Sequence, residues 1–225
     1  MAGYITYGII ISIMIITYQG LEFFKVQFGD TILAFNPISK DSKIKSARFG
    51  ADIALVSLND KDMNGADVLT YAEREPFVVA GPGEYEIKDV FIKGFQSKSN
   101  YGGTEKINTI YHIVLEGMNL CFLGATSDKA LEHDAAEGIE SVDILFVPIG
   151  GDGVLDPDEA AKLATTLEPK IIIPMHYDLP GAKNCLSTFL KEYGVEKVAP
   201  VDKLTLKKKD LEGKDGEVIV LSPQN

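Results

Sequence analysis

Short apolar runs alternate with polar breaks along the whole chain, and the spacing of the apolar positions changes from the first two thirds to the last. From Ile15 to Phe35 the pattern predicts strand, turn, strand, turn, strand, with Gly20 and Gly29-Asp30 as the punctuation. Within it, Glu22 to Phe28 alternates enough for a half-buried strand, and Thr31 to Phe35 is a short apolar strand closed by Asn36-Pro37. Lys40 to Lys45 is polar and reads as a loop. Ala51 to Ser57 reads as a buried strand running into the polar loop Asn59 to Asp62. Phe77 to Val79, Glu84 to Ile87 and Val90 to Phe95 are further short strands, broken by Gly81-Pro82-Gly83. Asn100 to Gly103 is a turn, and Thr109 to Leu115 pairs with Asn119 to Leu123 as a hairpin across Glu116-Gly117-Met118.

The last third mixes strands with helices. Ile144 to Pro148 and Lys170 to Pro174 are buried strands, and Val218 to Leu221 closes the chain as another. Asp156-Pro157-Asp158-Glu159 opens a helix that runs to Leu167, with acidic residues where the helix dipole favours them. Asn184 to Tyr193 is a second helix, stopped by Gly194. A block of strands followed by strands alternating with helices predicts a layered α/β protein with mixed sheets.

Composition narrows the picture. With 225 residues, 45% of them hydrophobic, the chain can bury a substantial core, and no linker supports a division into two domains. The net charge of −11 and a pI of about 4.8 weigh against a nucleic-acid partner; the densest basic run is Lys207-Lys208-Lys209. Cys121 sits in an apolar run and Cys185 opens the second helix. Two cysteines without a Cys-x-x-Cys motif fit a reducing cytoplasm better than a disulfide scaffold.

Residues 1–13 form an apolar extension. Tyr4 to Tyr18 is largely apolar, yet shorter than the ~20 residues of a membrane span, and it lacks the basic start of a signal peptide. Three readings stand: an added β-strand, a start upstream of the true one at Met14, or a weak membrane anchor. No membrane partner is favoured.

Catalytic groups often stand on loops at strand ends, and three loops here follow strongly apolar strands: Ser57 to Gly65, Gly124 to Asp128 and Met175 to Asp178. They carry Asp60, Asp62, Asp128 and His176. His112 lies inside a strand and His133 in a polar helical stretch, outside any site. Gly150-Gly151-Asp152-Gly153 is either a flexible turn or an anion-binding rim. There is no P-loop and no Gly-x-Ser-x-Gly, so a serine-hydrolase reading has no support.

The run Ala51-Asp52-Ile53-Ala54-Leu55-Val56-Ser57-Leu58-Asn59-Asp60-Lys61-Asp62-Met63 resembles the strand and loop that carry the H-x-H-x-D-H motif of the metallo-β-lactamase superfamily. Gly81 to Glu86, Asn108 to Tyr111, Leu120 to Gly124, Val142 to Pro148 and Pro174 to Tyr177 are similar to segments of its ascorbate-6-phosphate lactonase-like branch of Zn-dependent hydrolases. The resemblance covers most of Ile15 to Leu221. It implies a four-layer αβ/βα sandwich of two mixed β-sheets, with residues 14–225 as a single domain.

The resemblance also implies where metal ligands should stand, and most are missing. The motif's histidines fall on Leu58, Asp60 and Met63, and its aspartate on Asp62. A further histidine should follow Val90 to Phe95, where the chain reads Gln96-Ser97-Lys98-Ser99. The bridging aspartate falls on Ala125, and Asp128 stands where many relatives have another histidine. His176 matches the last histidine. A zinc centre needs imidazole or thiolate donors to make hydroxide at neutral pH, and leucine and methionine cannot replace them. Two readings follow. One is a non-catalytic binding, regulatory or assembly module with no cofactor, in which Asp62 and His176 serve loop hydrogen bonds. The other is a hydrolase of phosphate esters, cyclic phosphodiesters or lactones, with a site rebuilt from Asp60, Asp62, Asp128 and His176 around a weakly held Mn²⁺, Mg²⁺ or Zn²⁺. A homo-oligomer and a small-molecule ligand are expected partners.

Overall fold

A computed structural model describes residues 13–71, 74–179 and 182–224. The expected N-terminal extension, all but Ile13, lies outside the described residues.

The first sheet is built from β1 (Met14–Tyr18), β2 (Phe24–Phe28), β3 (Thr31–Phe35), β4 (Ile53–Leu55), β5 (Phe77–Val79) and β12 (Leu204–Leu206), in the order β12-β1-β2-β3-β4-β5. The second contains β6 (Gly83–Ile87), β7 (Val90–Ser99), β8 (Lys106–Leu115), β9 (Met118–Phe122), β10 (Ile144–Pro148), β11 (Ile171–Met175) and β13 (Glu217–Val218), in the order β13-β11-β10-β9-β8-β7-β6. Both are mixed. β3, β4 and β5 run parallel, as do β9, β10, β11 and β13. The remaining neighbours are antiparallel.

Strand alternation explains the layers. One face of each sheet meets the other around Phe24, Phe35, Phe122 and Phe146, whose rings contact in edge-on and tilted pairs. The outer face of the second sheet offers Ile110, Cys121, Leu145 and Ile172 to α1 (His133–Gly138), α2 (Pro157–Leu167) and α3 (Cys185–Glu192). The outer face of the first sheet is covered by the stretches on either side of β4, 36–52 and 56–69, whose helical content is a 3₁₀ turn at Ala66–Val68. The result is two mixed β-sheets with flanking helices, the fold class expected from the sequence.

Differences from the expectation have physical reasons. β12 was not predicted, because Leu204-Thr205-Leu206 is short and surrounded by lysines; it finds its partner in β1, far away in the chain. The last strand pairs at Glu217–Val218, not Val218 to Leu221. Beyond it Ile219 N–H still donates to the Ile172 carbonyl, and isolated bridges join Leu221 to Val201 and Pro223 to Tyr18. β7 runs on to Ser99 through buried Ser97 and Ser99, polar residues that an apolar-period reading stops at. No described helix is long and apolar enough to cross a membrane.

Candidate functional site

A cleft of about 650 Å3 opens where several chain segments leave the sheets. The loop after β4 contributes Asp60, Lys61 and Asp62, the connection from β7 to β8 contributes Tyr101, and the loops after β10 and β11 contribute Asp152 and His176. Ends of parallel strands are where α/β proteins place ligands.

His176 is the most constrained of these residues. It follows β11 with a left-handed φ of 64°, unusual for a residue with a side chain. Its N–H donates to the Leu21 carbonyl at 2.6 Å. Gly150 packs flat against it: a Cβ there would stand 2.1 Å from the His176 carbonyl oxygen. Nδ1 lies 2.8 Å from Oε1 of Glu22, a side chain with no solvent exposure. The other Glu22 oxygen accepts from Asn36 Nδ2 at 2.7 Å, and the same amide reaches Ser57 Oγ. A carboxyl on one ring nitrogen fixes the orientation of the other. Among the described residues every buried side-chain nitrogen and oxygen has a partner. Nε2, which has none, therefore opens on the cleft that His176 lines.

The turn that carries Glu22 is itself tied down. Tyr18 donates its hydroxyl to Asp178 Oδ1 at 2.7 Å, and the Leu21 N–H donates to the same carboxyl. Burial, reinforced by Asp178, pushes the Tyr18 phenol far up, so it stays a donor. Glu22, read from sequence as part of a strand, is in a turn before β2, with Leu21 at φ 56°.

Asp60 and Asp62 are engaged in other ways. Lys106 Nζ reaches Asp60 Oδ2 at 2.7 Å, and the Asp62 N–H donates to Asp60 Oδ1. Burial would raise the Asp60 pKa, but the Lys106 hydrogen bond and the neighbouring positive charges hold it below the ordinary value. Asp62 accepts from Ser42 Oγ at 2.5 Å and from the Tyr101 hydroxyl at 2.8 Å. Burial first, then that bond to Asp62, pushes the Tyr101 phenol up. Asp128 is not among the residues lining the cleft. Its carboxyl accepts the backbone N–H of Lys98 at the end of β7.

Leu58, Met63 and Ala125, the positions where the resemblance places two histidines and a bridging aspartate, are buried at 1%, 0% and 0% exposure. They belong to one apolar cluster with Ile38, Ala54 and Val68. Beside them Gly124 lies so close to Ser57 that a Cβ would meet its Oγ at 2.3 Å, at a φ of 59°. Asn108, fully buried, donates to Ser97 Oγ and to the Leu123 carbonyl and accepts the Ala125 N–H. Zinc needs about four nitrogen, sulfur or carboxylate donors converging at roughly 2 Å. Among the described residues no three His, Cys, Asp or Glu side chains come together in that way. The residues do not fit a zinc centre.

The sequence groups Asp60, Asp62, Asp128 and His176 at one site; Asp60, Asp62 and His176 line the cleft, and Asp128 does not, because its carboxyl is turned to the Lys98 N–H. Sequence alone misses Glu22, Lys106, Tyr101 and Ser42. Glu22 left one signal, a carboxylate inside the apolar run Leu21-Glu22-Phe23-Phe24.

A family profile described as "Beta-lactamase superfamily domain" matches residues 15–176. The chain is 28% identical to a UPF0173 metal-dependent hydrolase of Lysinibacillus sphaericus, over 73% of this chain and 86% of that one. It is 29% identical to another from Carboxydothermus hydrogenoformans, over 73% and 85%. A Thermotoga maritima structure, described as that of a Zn-dependent hydrolase of the metallo-β-lactamase superfamily, is similar with a TM-score of 0.73 and 26% identity. That match covers 92% of this chain and 98% of the other.

Proposed function

We propose that this chain, which belongs to the β-lactamase superfamily, is a binding module whose cleft takes a small molecule without zinc hydrolysis. The observation that carries this reading is the burial of Leu58, Met63 and Ala125 in a single apolar cluster. Ligand positions in a hydrolase of this family have become core here. The polar groups that remain support the same reading, because each already has a partner: Asp60 has Lys106, Asp62 has Ser42 and Tyr101, and His176 has Glu22. What they leave free towards the cleft is the Nε2 of a rigidly held imidazole.

The competing reading is a metal-dependent hydrolase like the relatives, with a rebuilt site. The common position of Asp60, Asp62 and His176 on one cleft favours it. It requires Asp60 to exchange Lys106 for a divalent ion, and it leaves Asp128 outside the site.

Elemental analysis of protein purified without chelator, with turnover of a phosphodiester and a lactone probe, separates the two. The binding-module reading expects far less than one metal ion per chain and no turnover above background. Stoichiometric metal, with turnover abolished in both Asp62→Ala and His176→Ala, would establish the hydrolase instead.

A further inference from the structure

The segment from Ser39 to Arg48 has a charge opposite to that of the rest of the molecule. Its ten residues hold Lys40, Lys43, Lys45 and Arg48 against one carboxylate, Asp41, in a chain of net charge −11. All four cations are exposed, and all line one concavity of about 340 Å3. Lys40 is 3.5 Å from Asp67. Among the described residues Lys43, Lys45 and Arg48 take part in no ion pair and no side-chain hydrogen bond.

The serines of the segment set its shape. Ser39 Oγ accepts the Asp41 N–H, Ser42 Oγ accepts the Ile44 N–H, and Ser46 Oγ donates to the Ile38 carbonyl. Ser42 also donates to Asp62 on the wall of the main cleft, so the two concavities share that hydrogen bond. A loop fixed by its own hydroxyls holds like charges together, and a bound anion would relieve their mutual repulsion.

We propose that this concavity binds a soluble ligand carrying two or more phosphate groups. Three unneutralised cations around one small hollow match the charge of an oligophosphate better than that of a single carboxylate. Arginine and lysine are the side chains that recognise phosphate, arginine through a fork and lysine as a point charge. An extended polyanion is a poorer match. Apart from these ten residues, which contribute +3 to the total of −11, the chain carries a net charge of −14, which disfavours a nucleic acid or an anionic bilayer lying across the molecule. The proposal stands apart from the reading of the main cleft and survives whichever way the metal question falls.

The test is calorimetric titration of the full chain with inorganic tripolyphosphate at low ionic strength. It is repeated with the triple variant Lys43→Ala, Lys45→Ala, Arg48→Ala and with the milder pair Lys43→Gln, Lys45→Gln. The three side chains are exposed, so circular dichroism should show both variants folded. The expected result is one tripolyphosphate per chain, weakened by added salt, with affinity reduced at least about tenfold in the triple variant and partly in the pair. Tripolyphosphate bound no more tightly than sulfate at equal ionic strength would overturn the proposal. So would binding unchanged in the triple variant, or an oligonucleotide or anionic vesicle binding more tightly than tripolyphosphate.

Discussion

On one side of the cleft Leu58 and Met63 turn inward and pack with Ala125, Ala54 and Ile38. On the other, His176 turns its imidazole onto Glu22, and Glu22 is held by Asn36. Both regions are buried, and both lie at positions where the family resemblance expects metal ligands. They differ in what each needs from its surroundings. An apolar side chain at a position where the resemblance expects a ligand needs only volume, and burial of a leucine or methionine stabilises by about 1.5–3 kcal/mol. A polar side chain at such a position needs hydrogen-bonding partners for its buried polar atoms. The first region could therefore change residue by residue, whereas the second depends on Glu22, Asn36 and Ser57 together.

The largest effect should come from breaking the polar side. Glu22→Leu leaves His176 Nδ1 without its partner in a fully buried place and takes from Asn36 Nδ2 one of its two acceptors, Ser57 Oγ being the other. The expected loss is about 3–5 kcal/mol of unfolding free energy by urea titration, as for removal of one member of a buried pair. A loss under about 1 kcal/mol would mean that the network is incidental and that the contrast between the two regions fails. Leu58→His asks the reverse question on the apolar side. It restores the family's residue, yet it should destabilise by about 2–4 kcal/mol, because it gives up apolar burial and introduces a ring nitrogen with no partner. An undiminished urea midpoint together with zinc uptake would show that the position is still a ligand site.

How much of this was legible in the sequence follows the same division. Apolar period located β1, β3, β10, β11, α2 and α3 closely, because these elements are specified by local spacing. That Leu58, Met63 and Ala125 carry neither imidazole nor carboxylate is also legible, since it is read directly from the residues themselves. That those three pack in one cluster was not, because it depends on how the loop after β4 folds back onto its sheet. Glu22 reads as a strand residue because its partner is 154 positions away. Lys106 was invisible for a related reason: a lysine at the start of a strand reads as a solvated charge until Asp60, 46 positions earlier, is brought beside it. Buried Asn108 and Ser97 extended strands beyond the point where apolar alternation ended, since their amide and hydroxyl are satisfied by each other.

The smallest effect, and the finest test of the comparison, concerns the pair on the rim between the two regions. Lys106 and Asp60 are partly exposed, at 29% and 18% for their side chains, so their attraction is screened and worth at most about 1 kcal/mol near pH 7. Its signature is the pH dependence. Burial pushes the Asp60 pKa up, while Lys106, the Asp62 N–H and Lys61 push it down and win. A carboxyl with a folded pKa below its unfolded value, about 3.9, contributes stability that is fully present above that value. The contribution is lost as pH falls through the lower, folded value. Lys106→Met removes the largest of the lowering influences and leaves the burial. The difference in urea midpoint between Lys106→Met and the unaltered chain should therefore be small but measurable at pH 7 and should shrink as pH falls through the lowered, folded value of Asp60. A difference that persisted unchanged at low pH would trace to packing of the lysine stem, and the rim would then belong with the apolar region.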